Sequence, residues 1–245
     1  MEIEFAIKGW AAWAPGLATP SHWLQWASAP RLPVGDEQPA VAQMPAMLRR
    51  RLGPLGRMAA QVAYDCQGDE GAPVVLASRY GDATRSLALL RSHALGEGCS
   101  PADFALSVHN AIGAMYSIAR RDTANFSSVA AGPASAAAAL VEAAGLLIEG
   151  APEVLVVCYD APLPGEYAAF QTEPAASYAW AWRVGPRSAG QPWLGLSWRA
   201  ANDGRADAIP SLPFGLDVLR FALSADDALE RRCEGARWSW SRHHG

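Results

Sequence analysis

The stretch that decides the fold is Phe104–Asp160, FALSVHNAIGAMYSIARRDTANFSSVAAGPASAAAALVEAAGLLIEGAPEVLVVCYD. It reads as a helix around His109 to Arg120, a link, a strand at Asn125 to Ala130 and a sharp turn, Ala131-Gly132-Pro133-Ala134-Ser135. An alanine-rich helix from about Ala134 to Glu149 follows, stops at Gly150, and gives way to a wholly apolar strand, Val154 to Cys158. A strand that drops the polar alternation is a strand covered on both faces. Strands of that kind joined through a helix imply a right-handed crossover in a layered α/β sheet.

The same grammar extends upstream. Val74 to Ser78 (VVLAS) is a second fully apolar strand, followed by Arg79-Tyr80-Gly81-Asp82 and a helix over Ala83 to Ala94 that ends at Gly96 and Gly98. Ser100-Pro101 is a helix start. Pro45 opens a helix over Ala46 to Tyr64, with Arg49, Arg50, Arg51 and Arg57 on its exposed side. Residues 3–12 read as an edge strand running into a Pro15-Gly16 turn, and residues 19–47 as an extended, partly helical excursion. From Tyr178 onward, strand-like runs rich in tryptophan (YAWAWRV, PWLGLSW) precede a helix at Pro213 to Phe221 and a polar tail, RWSWSRHHG.

Composition narrows the classes. The 245 residues suffice for a sizeable core, and 51% are hydrophobic against 18% charged. Mean hydropathy near zero (+0.01) fits either an alanine-rich core or apolar surface buried in a subunit interface. A net charge of −4 with no basic stripe gives no case for nucleic-acid binding. The longest apolar run, Val129 to Ile148, carries Glu142 at mid-segment and reads as a buried helix rather than a membrane span. Cys66, Cys99, Cys158 and Cys233 are scattered without metal-ligand spacing, so neither a metal nor another cofactor is expected, and the cytoplasm is the expected compartment.

Several residues admit a chemical and a bland reading. His109-Asn110 either orients a substrate or caps and bonds a helix pair in the core. The Arg49–Arg51 and Arg57 cluster either docks an acidic partner or is a solvated helix face. Cys158 and Ser135 are the candidate nucleophiles; the bland readings are a small buried hydrophobe and, for GPASA, a turn that is not G-x-S-x-G. Asp160 sits where α/β folds gather ligands, or else caps the next turn. The paired tryptophans read as a packed sheet before a ligand platform.

These residues also resemble a family. VHNAIGAMYSIARRD is similar to the ketosynthase segment that precedes the nucleophile strand, VLASRYGD to the strand and turn shaping the acyl pocket, and SSVAAGPASAAAALVEAAGLLIEGAPEVLVV to the nucleophile strand, turn, buried helix and next strand. Counting forward from Asn110 by the ketosynthase interval and back from Gly150 both land on Pro133, where the family carries its catalytic cysteine. The two catalytic histidines of a full ketosynthase have no counterpart here, since after that turn only His243 and His244 remain, in the terminal tail.

The resemblance implies a thiolase-like α/β/α layered fold, truncated relative to a full ketosynthase: a single domain, 1–245, with a thiolase-like half over 1–165 and a reduced C-terminal part over 166–245. The implied role is that of a non-catalytic, chain-length-factor-like subunit, as in aryl polyene and related fatty-acid-like pathways. Its implied partners are a full-length, cysteine-bearing ketosynthase, in a heterodimer, and an acyl carrier protein. The implied acyl-pocket and gate positions are Ser78, Arg79, Tyr80, His109, Asn110, Met115 and Gly132. The implied partner edge is Asn125, Phe126, Ser127, Ser128, Val129 and Ala130, with Arg49, Arg50, Arg51 and Arg57 facing the carrier protein. The alternative is an independent acyl-transfer or hydrolytic enzyme using Cys158 or Ser135.

Overall fold

The computed structural model describes residues 2–68, 71–201 and 210–245. Among them, β1 (Glu2–Trp13), β2 (Val74–Ala77), β3 (Phe126–Val129), β4 (Val154–Asp160), β5 (Tyr178–Gly185), β6 (Trp193–Ala200), β7 (Ala228–Cys233) and β8 (Ala236–His243) form one mixed sheet. Its order is β3-β2-β4-β5-β1-β6-β8-β7. β2 lies parallel to β3 and β4, and the remaining pairs are antiparallel.

The helices are α1 (Pro20–Ser28), α2 (Ala46–Arg49), α3 (Pro54–Cys66), α4 (Ala83–Ala94), α5 (Pro101–Ser107), α6 (Ala111–Arg120), α7 (Ser135–Ile148) and α8 (Phe214–Leu223). They cover both faces, because β2 and β4 have apolar side chains pointing each way. Val75, Ala77, Val154, Val156 and Cys158 meet α1, α7 and α8. Val74, Leu76, Leu155, Val157 and Tyr159 meet α3 and α6. This is the expected α/β/α layering. α7 can lie against the sheet because its inward positions, Ala136, Ala137, Ala139, Leu140 and Ala143, are mostly methyl groups. On the same face, the fully buried Trp180 donates its Nε1–H to the carbonyl of Gly215 (2.9 Å), tying β5 to α8.

Local signals set the helix starts. The Thr19 hydroxyl accepts from the amide of His22, and the Ser100 hydroxyl from that of Asp103; in both helices proline occupies the first turn, where no N–H is needed.

Four sequence expectations change. β1 is not an edge strand: its first residues pair with β6 and the rest with β5, so it joins the two halves of the sheet. The helix expected over Ala46 to Tyr64 is two, α2 and α3, interrupted at Gly53-Pro54, where proline cannot continue a preceding helix. The helix expected from His109 begins at Ala111, which leaves His109 and Asn110 in the turn after α5. The tail is not free. It is β8, paired on both sides, and the His243 ring stacks on Trp193 with centroids 3.7 Å apart and planes at 6°. The tryptophans do pack as a sheet, with Trp198 and Trp238 stacked across β6 and β8 at 5.5 Å.

The sheet ends differently at its two sides. β7 closes one side with Glu230, Arg231 and Arg232, charges of the kind that discourage strand addition. β3 closes the other with Phe-Ser-Ser-Val and pairs only with β2. Gly113 lets α6 approach this side closely, since a Cβ there would lie 2.7 Å from Leu76 Cδ1 and 2.8 Å from Phe126 Cδ2. Gly113→Val is expected to lower stability by about 1–3 kcal/mol through overpacking, read as a reduced urea midpoint at unchanged slope. An unchanged midpoint would show that α6 does not depend on this close approach.

Candidate functional site

The turns that follow β2 and β3 lie side by side, because the Ser78 amide donates to the Val129 carbonyl (3.3 Å) and carries the parallel pairing one residue beyond the strands. The first turn, Ser78-Arg79-Tyr80-Gly81, is held from several directions. The Ser78 hydroxyl, fully buried, donates to Asp160 Oδ1 (3.0 Å) and accepts from the Gly81 amide (2.9 Å). The Arg79 amide donates to the same carboxylate oxygen (2.8 Å). His109 Nε2 donates to the Ser78 carbonyl (2.9 Å), and its ring lies against Gly81, which adopts φ +59°. Asp160 therefore caps a turn on the neighbouring strand rather than the one following its own.

Burial pushes the Asp160 carboxyl up to about 7, against the lowering pull of the Arg79 amide, the Ser78 hydroxyl and the Arg79 charge. Beside it, the Cys158 thiol, buried in β4, is pushed well up, first by burial and then by the Asp160 charge. A thiol so placed resists forming the thiolate that nucleophilic chemistry requires.

The Arg79 and Tyr80 side chains turn toward the segment after β4. Tyr80 donates its hydroxyl to the Phe170 carbonyl (2.5 Å), and Arg79 Nη2 donates to Thr172 Oγ1 (2.7 Å) with its guanidinium 4.7 Å from the Tyr80 ring centre. Arg79 also pairs with Glu173 (3.6 Å), which pairs with Arg231 (3.0 Å), which pairs with Asp217. Glu173 further accepts from the Phe214 amide at the start of α8 (3.0 Å). This half-buried chain links β2, α8 and β7, and beyond Arg79 it runs through residues that carried no motif signal. Glu173 was unreadable because its partners lie about 40 to 90 positions away.

The second turn carries Pro133. Gly132 adopts φ +52°, a left-handed conformation that suits glycine. The Ser135 hydroxyl accepts from the Ala131 amide (3.0 Å) and donates to the Gly132 carbonyl (2.7 Å). It is 3% exposed, and both hydrogen bonds serve the turn. A side chain on Gly132 would collide with the carboxylate of the exposed Glu234, at the β7–β8 turn, so this carboxylate lies directly against the turn. Glu234 is a second residue that sequence reading missed.

The anticipated pocket residues thus separate. Ser78, Arg79, Tyr80 and His109 share one turn, with Asn110 beside it; Gly132 lies on the neighbouring turn under Glu234; Met115 is buried in the core among α3 and α6. Of the arginines, Arg50 and Arg51 are exposed, whereas Arg49 and Arg57 donate to the carbonyls of Val41 and Leu52.

A family model described as the N-terminal domain of beta-ketoacyl synthases matches residues 23–241. The chain therefore belongs to the beta-ketoacyl synthase family, on its N-terminal-domain side. Among solved structures it is similar to a chain of the ketosynthase ApeO in complex with its chain length factor ApeC from Xenorhabdus doucetiae. That match has 27% identity and a TM-score of 0.82, over 98% of this chain and 100% of that one. It shares the fold of the ishigamide ketosynthase/chain length factor, at 14% identity and a TM-score of 0.67, over 98% of this chain and 99% of that one. A ketosynthase of the bacillaene polyketide synthase of Bacillus amyloliquefaciens shares the fold at 12% identity and a TM-score of 0.56. The match spans 83% of this chain and only 46% of that one, so the thiolase-like fold is truncated here. No curated protein matches. Among the described residues no helix is long and apolar enough to cross a membrane, and no group of His, Cys, Asp and Glu is placed to hold a metal.

The raised Asp160 value has a testable sign. The folded state holds this proton more tightly than the unfolded chain, whose carboxyl has an ordinary value of 3.8, so stability falls as pH rises from about 4 to about 7. Asp160→Asn is expected to flatten that part of the stability–pH curve, measured by urea unfolding across the range. A slope equal to that of the parent chain would mean that Asp160 is not the proton site.

Proposed function

We propose that this member of the beta-ketoacyl synthase family is a non-catalytic, chain-length-factor-like subunit that pairs with a cysteine-bearing ketosynthase and shapes its acyl pocket. The observation that carries the reading is the nucleophile turn. The architecture is retained, a left-handed glycine before a buried helix, yet Pro133 stands where the family's cysteine belongs, and Glu234 lies against the turn. Proline is accommodated there, because Pro133 precedes the Ala134 cap of α7 and its missing N–H removes no helical hydrogen bond. The rival nucleophiles are poorly placed for chemistry: Cys158 is 1% exposed, and both hydrogen bonds of the Ser135 hydroxyl hold the turn.

The solved structures support the same reading, since the chain matches one chain of the ApeO–ApeC complex at 27% identity over 98% of its residues. The free edge supports it as well. β3 offers an unguarded strand whose Ser127 and Ser128 hydroxyls are buried without hydrogen-bond partners. α6 packs against β3, α5 against α6 and α4 against α5; α4 and α5 bury none of their residues and, with their caps and α6, expose Leu90, Leu95, Phe104, Val108 and Ile118. Apolar surface on that scale, beside an open strand, calls for a protein partner. In this reading Asn125–Ala130 continue the sheet into the ketosynthase in the cytoplasm, and the turns bearing Tyr80, His109 and Gly132 border the acyl chain. Product formation is of the polyene or fatty-acid-like kind, and the exposed Arg50 and Arg51 receive the acidic carrier protein.

Co-expression with the ketosynthase of the same cells tests the proposal. The expected result is one-to-one co-elution that is lost in Ala130→Arg, a variant that places a charge at the exposed end of the free edge while leaving the lone chain's unfolding free energy within about 0.5 kcal/mol of the parent. Co-elution that survives Ala130→Arg would remove β3 from the interface, and a chain that never co-elutes would remove the partner reading itself.

A further inference from the structure

At the end of the sheet away from the nucleophile turn, β1, β5, β6 and the C-terminal end of α8 enclose a pocket of about 180 Å³ that opens to solvent. Its walls include Ile7, Trp10, Trp182, Trp193 and Leu223, with Arg242 of β8 among them. The site has no part in the reading given above. β5 begins beside Asp160 at Tyr178, and the pocket residues Trp182, Trp10 and Leu194 lie further along the register, opposite one another or opposite Arg242.

The walls are fixed in advance of any ligand. Trp193 is stacked on His243 at 3.7 Å, and the Arg187 guanidinium lies 5.2 Å from its ring centre. His243 Nε2 is in turn 2.9 Å from Ser241 Oγ. Trp182 is fully buried and packs on Trp180 at 4.6 Å.

One polar group at this site lacks a counterpart. Arg242 donates Nε to the Asp226 carbonyl (3.0 Å) and Nη2 to the carbonyls of Phe221 (2.5 Å), Ser224 (3.1 Å) and Ala222 (3.4 Å). Those bonds place its charge at the negative end of α8, which accounts for half of the fork. Among the described residues its Nη1 has no hydrogen-bond partner, and no carboxylate pairs with it.

We propose that this pocket binds a small aromatic carboxylate, with its single ring beside Trp10 and Trp193 and its carboxylate accepting from Arg242 Nη1. Size and chemistry select that class. An apolar cavity of about 150 Å³ holds one benzene ring, so about 180 Å³ holds one ring and a short acid arm, not a long acyl chain. Aromatic walls favour an aromatic occupant, because ring pairs gain beyond the area they bury. A guanidinium with a free N–H pair favours a carboxylate over a neutral acceptor.

Titration of the full-length chain, alone or in its co-purified complex, with phenylacetate, toluene and hexanoate tests this by ligand-observed NMR. Phenylacetate is expected to bind saturably and more tightly than either of the others. Arg242→Gln should weaken phenylacetate at least about tenfold, the scale of a lost charge-assisted hydrogen bond, while changing toluene by less than about twofold. Should that variant loosen the end of α8, Ala222→Phe, which fills the pocket from its own wall, decides the matter by abolishing phenylacetate binding. Phenylacetate that does not saturate at millimolar concentrations, hexanoate that binds more tightly, or binding that survives Ala222→Phe would overturn the proposal.

Discussion

Everything in this molecule follows from two short strands that are apolar on both faces. β2 and β4 cannot tolerate water on either side, so the chain must provide helices above and below them and further strands alongside. α3 and α6 cover one face, α1, α7 and α8 the other. On the β4 side the sheet continues through β5, β1, β6 and β8 to a charged last strand. On the β2 side it stops after one more strand, Phe126–Val129, which carries no charge and, among the described residues, pairs with no further strand. A sheet built on that constraint is unfinished on one side, and the family to which the chain belongs gives the unfinished side a meaning.

The site beside that edge is held by hydrogen bonds that serve its turns. Ser78, Asp160 and His109 lock the turn after β2, with hydrogen bonds of about 3 Å that satisfy its backbone groups. Ser135 locks the turn after β3. A carboxyl raised to about 7 is often a mark of catalysis. Here the cause is burial in a structural cap, and the neighbouring thiol is driven away from reactivity by the same burial. The network from Arg79 through Glu173 and Arg231 to Asp217 reaches from this turn to the second part of the chain. The C-terminal part is therefore tied to the turns through ion pairs as well as through the shared strand β1.

Much of this was legible in the sequence because it is local. The apolar runs VVLAS and VLVVC, the alanine face of α7 and the proline start at Pro101 each carry their own signal. What could not be read is non-local. β1 looks like an edge strand because its alternation is broken, but its partners, Trp180–Gly185 and Leu194–Ser197, lie far along the chain. The tail looks free because it is polar, yet alternate residues of β8 face a core, and Trp240 is 1% exposed. Glu173 and Glu234 have no sequence motif, since what matters about each is the distant residue it meets. The same holds for the pocket beside Trp182, whose walls come from five separate segments of the chain.

The central claim is that a second protein completes the sheet at β3. Amide hydrogen exchange of the full chain, alone and in complex with its ketosynthase, addresses it at the residues concerned. The account predicts that amides within Phe126–Val129 not bonded to β2 exchange quickly in the lone chain and become strongly protected in the complex, while those of β7 stay as they were. Equal exchange of β3 in the two states would contradict it, and would leave the open edge without a partner.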